Sequence, residues 1–182
     1  MSIDITLRDS MLKATPNLRA FAISLTNNVD RADDLVQETL MRAIANIDRF
    51  QPGTNMQAWL FTILRNLFHS EYRKRRREVE DADGKYASTL SVQPDQIPHL
   101  DFEDLQKALA RLPHDQREAL LLVGASGFSY EQAAEICGCA VGTIKSRVNR
   151  ARNRLAELMH FTDMDEDIGP DRLTLSVMAA VA

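Results

Sequence analysis

Apolar residues recur every three or four positions in several separate stretches of this chain, with charged and amide side chains between them. One group of such stretches lies in residues 10–77, and a second group lies in residues 105–161. This spacing is typical of the buried face of an α-helix, whereas a half-buried strand would alternate at every second residue. The pattern therefore predicts an all-α protein with two small helical domains.

Helix-end signals locate the first two helices. Thr15-Pro16 has the form of a cap followed by proline at the first helical position, and it predicts a helix over Asn17–Thr26. Asp30 is predicted to cap a second helix that runs to about Asn46. The second helix is expected to point these apolar residues inward: Leu35, Leu40, Ala43, Ile44 and Ile47.

A third helix is predicted after a loop that contains the Pro52-Gly53 pair. Thr54 and Gln57 have the spacing of a capping box, in which two side chains satisfy free N–H groups at the start of a helix. We predict that this helix ends in the basic block Arg73–Arg77.

The second domain contains the most informative stretch, residues 128–155. Ser129 and Gln132 form another predicted capping box, and Gly138 accepts the left-handed conformation that a tight turn requires. The helix predicted to follow, Val141–Leu155, contains no acidic side chain. Its apolar residues fall on one face and are predicted to be buried: Ile144, Val148, Ala151 and Leu155.

The polar face of this last helix carries the candidate chemistry, because Lys145, Ser146, Asn149 and Arg150 fall together on it. A helix that reads DNA needs one apolar face to hold it and one polar face to reach base edges. The stretch therefore predicts a DNA-binding helix-turn-helix. The less favoured alternative is an ordinary helical hairpin with a solvated basic face.

Charge is distributed unevenly, and the overall net charge of −4 conceals this. Residues 1–77 carry +4, residues 78–104 carry −7, residues 105–161 carry +3 and residues 162–182 carry −4. Residues 78–104 also lack helical periodicity and contain glycine and prolines, as linkers do. We predict two basic domains, residues 10–77 and 105–161, a flexible acidic linker between them, and an acidic tail of unknown role at residues 162–182.

The sequence predicts a binding protein rather than an enzyme, with no cofactor and no metal. Its four histidines are dispersed, and it has no glycine-rich phosphate loop. Cys137 and Cys139 fit two small side chains in a tight turn better than a redox or zinc pair. Few cysteines, no secretory signal and no long apolar run predict a cytoplasmic protein outside the membrane.

Two surfaces of the first domain have open interpretations from the pattern alone. The loop Gln51–Met56, close to Trp59, is rich in amide and hydroxyl groups and suits a base that has left the stack. The equally weighted alternative is that Trp59 and Phe68 are core residues and that the basic block Arg73–Arg77 is solvated. The polar face of the second helix is either a protein-binding surface or, as is more usual, a solvated helix face.

Two blocks of the sequence, in this order, resemble the extracytoplasmic-function (ECF) sigma factors of bacterial RNA polymerase. The first block is DRADDLVQETLMRAIANIDRFQPGTNMQAWLFTILRNLFHSEYRK, and the second is LPHDQREALLLVGASGFSYEQAAEICGCAVGTIKSRVNRARNRL. The resemblance covers about residues 10–160. Its second block is most similar to the general-stress-response group of alphaproteobacteria, called EcfG-like.

The resemblance implies that residues 10–77 are sigma domain 2 and residues 105–161 are sigma domain 4. In the family, the second helix of domain 2 binds the clamp helices of the largest subunit of core RNA polymerase. The residues that this implies for polymerase binding are Asp33, Asp34, Gln37, Glu38 and Arg42.

The resemblance also implies two contacts with promoter DNA. In the family, the loop corresponding to Gln51–Met56 captures a flipped base of the −10 element, and the helix after it contacts −10 DNA. The implied −10 residues are Gln51, Thr54, Asn55, Arg65, Asn66, Arg73, Lys74 and Arg76.

The second helix of domain 4 reads the −35 major groove in the family. The residues implied to face bases are Lys145, Ser146, Asn149 and Arg150. Those implied to contact phosphates or to pack locally are Thr143, Arg147 and Arg152. Lysine and arginine pair with guanine and asparagine pairs with adenine, so a purine-rich −35 element is expected.

The implied function is promoter-specific transcription initiation of general stress-response genes, under the control of an anti-sigma protein. Two alternatives remain. A sigma-like decoy would sequester the anti-sigma protein without initiating transcription, and the basic residues of the last helix argue against it. A helix-turn-helix regulator that works without polymerase would not need the first block.

Overall fold

The structure, a computed structural model, describes residues 5–81 and 100–159 of the chain. The chain divides into two compact units, Met1–Pro94 and Asp95–Ala182. Every regular element within the described residues is helical, which confirms the predicted all-α fold. The predicted tail, from residue 162 onward, lies outside the described residues, as does most of the predicted linker.

Within residues 5–81, the first unit forms a bundle of three helices, each of which packs against the other two. A single-turn 3-10 helix, Ile47–Arg49, follows the second of them. The three helices are α1 (Ile5–Thr26), α2 (Val29–Ala45) and α3 (Met56–Asp81). Leu18, Leu60 and Leu64 are completely buried in their core. The rings of Phe21 and Phe61 lie 5.0 Å apart and join α1 to α3.

Within residues 100–159, the second unit contains four helices and a π-helical turn, Leu121–Ala125. The helices are α4 (Leu100–Ala110), α5 (His114–Leu120), α6 (Tyr130–Cys137) and α7 (Val141–Leu158). Helix α7 packs against α4, α5 and α6 through its apolar face. This face has the predicted composition, with each residue at most 1% exposed: Ile144, Val148, Ala151 and Leu155.

Helix α1 begins at Ile5, so the predicted start at Asn17 is wrong and Pro16 lies inside the helix. Met11 and Ala14 are buried, and their packing extends the helix through Pro16 although proline has no N–H to donate. The Thr15 hydroxyl does not cap a helix. It donates a hydrogen bond to the Met11 carbonyl at 2.9 Å.

Asparagines cap the next two helices, in place of the predicted residues. Asn28 Oδ1 accepts a hydrogen bond from the Arg31 backbone N–H at 2.8 Å, so Asn28 caps α2 and Asp30 does not. Asn55 Oδ1 accepts from the Ala58 N–H at 3.2 Å, while the Thr54 hydroxyl donates to the Gln51 carbonyl. The capping box predicted for Thr54 is therefore wrong.

The remaining differences concern helix ends and one buried face. Helix α3 continues past its predicted end at Arg77 to Asp81. The prediction that Ile44 points inward is wrong, because 48% of Ile44 is exposed. The buried face of α2 consists instead of Ala32, Leu35, Val36, Thr39 and Ala43. The Thr39 hydroxyl tolerates this burial because it donates to the Leu35 carbonyl at 2.7 Å.

Candidate nucleic-acid and protein interfaces

The start of α6 and the turn between α6 and α7 are fixed by local features, as the sequence predicts. Ser129 Oγ accepts from the Gln132 N–H at 3.2 Å, and Gln132 Oε1 accepts from the Ser129 N–H at 3.0 Å. Gly138 ends α6 with φ 62° and ψ 40°, a conformation that costs glycine little. Ala133 is fully buried, and its small side chain lets the two helices approach closely. Together these features set the direction in which α7 leaves the turn.

The solvent face of α7 presents three of the four predicted base-facing side chains. Lys145, Asn149 and Arg150 are exposed, whereas Ser146 is half-buried. The Ser146 hydroxyl donates to the Thr143 carbonyl at 3.0 Å, so it is bonded to its own helix. Asn149 and Arg150 make no hydrogen bond or ion pair within the part of the chain that the structure describes. Their polar groups are therefore available to a ligand.

Lys145 is oriented by the start of α6. Its Nζ lies 5.8 Å from the centre of the Tyr130 ring, a distance at which a cation is attracted to the aromatic face. The neighbouring Glu131 carboxyl has a pKa below its ordinary value. The main cause is a hydrogen bond from its own backbone N–H, with smaller contributions from the Ser129 hydroxyl and the Lys145 charge. The Lys145 ammonium is thus held at the edge of the exposed face.

Arg147 is bound within the unit. Its Nε lies 3.1 Å from Asp115 Oδ2 of α5, and its Nη1 lies 4.0 Å from Cys139 Sγ in the turn. Arg147 of α7 therefore contacts both α5 and the turn between α6 and α7. Thr143 and Arg152, the other two residues of this group, are half-buried.

Both cysteines are free thiols near the turn. Cys137 is buried, and its Sγ lies 3.9 Å from Glu118 Oε2, while Cys139 is half-buried beside Arg147.

The predicted −10 residues form a strip along α3 and the loop before it, rather than one cluster. Gln51, Thr54 and Asn55 are exposed in the loop. The Phe50 ring before this loop and the Trp59 ring after it have centres 5.3 Å apart. From the start of α3 to Lys74 the helix rises by about 25–30 Å. Such a strip suits an extended ligand better than a small molecule.

Along α3, the exposed side chains of the predicted set are Asn66, Arg73 and Lys74, and Arg65 is half-buried. Asn66 and Arg73 are two helical turns apart and share a face. Arg73 Nε donates to the His69 carbonyl at 3.3 Å. The side chain of Arg76 lies outside the described residues.

The predicted protein-binding face of α2 contains both paired and unpaired side chains. Asp33 binds Arg19 of α1 through two hydrogen bonds, at 2.6 and 3.2 Å, and these bonds lower the pKa of Asp33 and raise that of Arg19. Glu38 is half-buried and accepts from Arg42 at 2.7 Å. Asp34 and Gln37 are exposed, and neither makes an ion pair or hydrogen bond with any described residue.

Sequence reasoning missed two apolar residues on this face. Met41 is 59% exposed and Ile44 is 48% exposed, on the same side of α2 as Asp34 and Gln37. Exposed large apolar side chains that lie together often mark a protein contact. The available signal was the spacing, because Met41 follows Gln37 by one helical turn and lies off the buried face.

The sequence also matches known families over both units. Residues 12–78 match the family model for Sigma-70 region 2, and residues 102–155 match the family model for Sigma-70, region 4. These two regions in this order define a sigma factor of the sigma-70 type.

More similar proteins narrow the class. The chain is 68% identical to the ECF RNA polymerase sigma factor EcfG of Rhodopseudomonas palustris, over 98% of each chain. The sigma factor RpoE of Bartonella quintana, solved in complex with the anti-sigma factor NepR, is 59% identical with a TM-score of 0.77, covering 84% of this chain and 96% of that chain. This chain belongs to the ECF RNA polymerase sigma factors, in the EcfG-like group.

A third protein shares the fold alone. The anti-anti-sigma factor PhyR of Bartonella quintana, solved in complex with the anti-sigma factor NepR, is 20% identical with a TM-score of 0.55, covering 83% of this chain and 49% of that chain.

Among the helices of the described residues, none is both long enough and apolar enough to cross a membrane.

Proposed function

We propose that this sigma factor binds core RNA polymerase through α2 and reads its promoter with α7 at −35 and with α3 and the preceding loop at −10. The observation that carries the proposal is the construction of α7. Four buried residues hold one face, and the opposite face presents Lys145, Asn149 and Arg150 to solvent. A recognition helix in the major groove requires this arrangement. Because bacterial core RNA polymerase and promoter DNA are cytoplasmic, we propose that this protein acts in the cytoplasm.

The polymerase-binding face combines polar and apolar side chains of α2. Asp34 and Gln37 supply polar groups that form no hydrogen bond or ion pair with a described residue. Met41 and Ile44 supply exposed apolar area beside them. Methionine packs adaptably against a partner surface, and a few well-packed, desolvated residues usually carry most of the binding energy of an interface. We therefore add Met41 and Ile44 to the five residues predicted from the sequence.

The polymerase face is tested with the double variant Asp34→Lys, Gln37→Ala, and separately with Met41→Ala. Both are expected to reduce co-purification with core polymerase while helix content stays unchanged. The matched control is Asp9→Lys, a charge reversal at an exposed position of α1. Normal co-purification of the double variant would exclude this face.

The −10 contacts are proposed to begin at the exposed loop. In the loop before the half-buried Trp59, Gln51 presents its amide, Asn55 its amide N–H groups and Thr54 its hydroxyl oxygen. Such groups bind the edge of an unstacked base. Asn66, Arg73 and Lys74 continue along α3 as donors for the DNA that follows. The proposed −10 surface is thus a base pocket at one end and a phosphate-binding strip behind it.

The central experiment is run-off transcription with purified core polymerase on a promoter library randomised at both elements. Initiation from a narrow set of promoters with a shared purine-rich upstream element is the expected result. Core polymerase that binds the protein and yet initiates from no promoter would refute promoter selection.

We also propose that an anti-sigma protein of the NepR type controls this chain, and that it serves general stress-response genes. The support is the similarity to RpoE, which was solved with NepR. Purified NepR-type protein is expected to displace core polymerase from the chain in a pull-down. Failure to bind at micromolar concentration would contradict this control.

A decoy that only sequesters the anti-sigma protein is the second candidate, and the fold shared with PhyR favours it. The sequence favours the sigma factor, because identity to RpoE is 59% and identity to PhyR is 20%. Run-off transcription separates the two, since a decoy would give no transcript and still bind NepR-type protein.

A further inference from the structure

An open cleft of about 260 Å³ lies between α2 and α3 in the first unit. Its lining consists entirely of charged residues: Arg31, Asp34, Glu71, Lys74 and Arg75. Three cations and two carboxylates thus share a small space, and both helices contribute groups of each sign. Arg31, in the first turn of α2, has no role in the surfaces described above.

The charge of the Arg31 guanidinium has few compensating contacts, although little of the side chain is exposed. Its side chain is 27% exposed, and its Nε is buried without a hydrogen-bond partner among the described residues. Its Nη2 lies 3.9 Å from Glu71 Oε2, which is too far for a hydrogen bond. Burial lowers the pKa of Arg31, repulsion from Arg75 lowers it further, and Glu71 offsets only part of this.

The chemistry of the cleft favours an anion with several oxygen acceptors. A guanidinium group presents its N–H donors in a planar fork that matches phosphate, and a lysine adds a compact charge. A bound phosphate would place negative charge between the Arg31 and Arg75 guanidinium groups and would offset their repulsion. A single carboxylate, such as Glu71, offers fewer acceptor positions and already lies at the wall of the cleft.

We infer that the cleft between Arg31, Lys74 and Arg75 is a phosphate-binding site, and that it takes a backbone phosphate of promoter DNA. This inference rests on the proposed function, because Lys74 belongs to the α3 strip that we propose to follow the −10 DNA. Arg31 extends that strip onto α2, beside Asp34 of the polymerase-binding face. The cleft therefore lies where the two proposed surfaces of the first unit meet. Free polyphosphates share the same chemistry.

The test compares Arg31→Gln with Arg8→Gln in holoenzyme reconstituted with core polymerase. Arg8 is an exposed arginine of α1, 3.9 Å from Asp9, and its substitution makes the same change in charge. Binding to a fluorescent promoter fragment is measured by anisotropy over a range of KCl concentrations. Each phosphate contact contributes about −0.9 to the slope of log K against log salt. Arg31→Gln is expected to make the slope less negative by about 0.9, and Arg8→Gln is expected to leave it unchanged.

Methylphosphonate linkages then locate the contact. Neutralising one −10 phosphate at a time should weaken wild-type binding at a position where Arg31→Gln binding is unaffected. An unchanged salt slope in Arg31→Gln, with no such position, overturns the assignment to DNA.

Two further measurements identify any other source of the anion. Pyrophosphate is titrated into the free proteins, and the thermal midpoint is recorded. Suppose that pyrophosphate raises the thermal midpoint of wild type but not that of Arg31→Gln, and that the salt slope of DNA binding is unchanged in Arg31→Gln. The phosphate site is then assigned to a free polyphosphate. Loss of core binding in Arg31→Gln, again with an unchanged slope, means that a polymerase carboxylate occupies the cleft, and the phosphate proposal falls. Run-off transcription by wild type and Arg8→Gln tests the proposed function independently of either result.

Discussion

Arg150→Ala should relax promoter discrimination at a single −35 base pair while leaving the fold intact. Loss of an arginine that is bidentate to a base edge costs about 1–3 kcal/mol of discrimination. At about 1.4 kcal/mol per tenfold, this corresponds to a fall of roughly 5- to 150-fold in the preference for the correct base. The remaining −35 positions should keep their preferences.

The structure supports the full range of this effect, because Arg150 is exposed and has no ion pair with a described residue. No internal contact has to be broken before the guanidinium reaches DNA, and none is left unsatisfied after truncation. The change in the free energy of unfolding should therefore stay within about 0.5 kcal/mol, as is usual for surface substitutions. Arg147 differs, because its ion pair with Asp115 would be lost as well.

The assay is run-off transcription in competition, with promoter fragments that carry each alternative base at each −35 position. Arg154→Ala is the matched control, since Arg154 is an exposed arginine of the same helix that pairs with Glu157 at 2.8 Å. The control should lower all promoters alike and change no preference. If Arg150→Ala also lowered all promoters by the same factor, Arg150 would be a phosphate contact and the assignment to base reading would be refuted.

Three further predictions concern stability. Ser129→Ala removes the N-terminal cap of α6 and should lower the free energy of unfolding of the second unit by about 0.5–2 kcal/mol. Hydrogen exchange in α6 and α7 measures this loss, with Ser126→Ala as the control. Equal exchange in the two variants would contradict a capping role. Ile144→Ala leaves a cavity at a fully buried site and should cost about 2–5 kcal/mol, seen as a lower midpoint in urea, while a loss below 1 kcal/mol would show that the site collapses. Arg19 lowers the pKa of Asp33, so their pair stabilises the fold above the ordinary carboxyl pKa and is lost as pH falls through the lowered value. The small difference in unfolding free energy between wild type and Asp33→Asn should therefore shrink below about pH 4, and a difference that is constant from pH 7 to pH 2 would show that the carboxylate charge contributes nothing.

Features set by neighbouring residues could be predicted from the sequence, and the helix-turn-helix is the main example. A capping box needs only Ser129 and Gln132 at the right spacing, and the turn needs only Gly138 after a helix. The buried face of α7 follows from the helical spacing of its apolar residues. The two helices and the turn of this motif could therefore be located from the sequence alone.

Predictions failed where two local signals competed or where packing decided. Thr15-Pro16 has the form of a helix start, but burial of Met11 and Ala14 carries α1 through it. Ile44 is apolar and close to the expected face, yet the core of the bundle takes Ala43 and leaves Ile44 in solvent. Periodicity defines a face only to within one residue, and the partner helices determine its centre.

Buried charge was beyond the reach of pattern analysis altogether. Arg117 and Glu118 of α5 are 8% and 1% exposed, although adjacent charged residues normally indicate a solvated turn. The cleft of the first unit has the same origin, since Arg31 is far from Lys74 in sequence and only the packing of α2 on α3 brings them together. Sites made by such packing require the structure.

The pairing of surface charges sets the order in which substitutions should affect binding. Asp33 and Arg147 are already satisfied within their units, so a ligand must replace an existing ion pair to use them. Asp34 and Arg150 carry no such cost, because no described residue is bonded to either. Exchange of one ion pair for another gains little in water, whereas a new charge-assisted bond in a desolvated interface is worth more. Substitution of Asp34 should therefore weaken polymerase binding more than substitution of Asp33, although both residues lie on α2 and both substitutions remove the same charge.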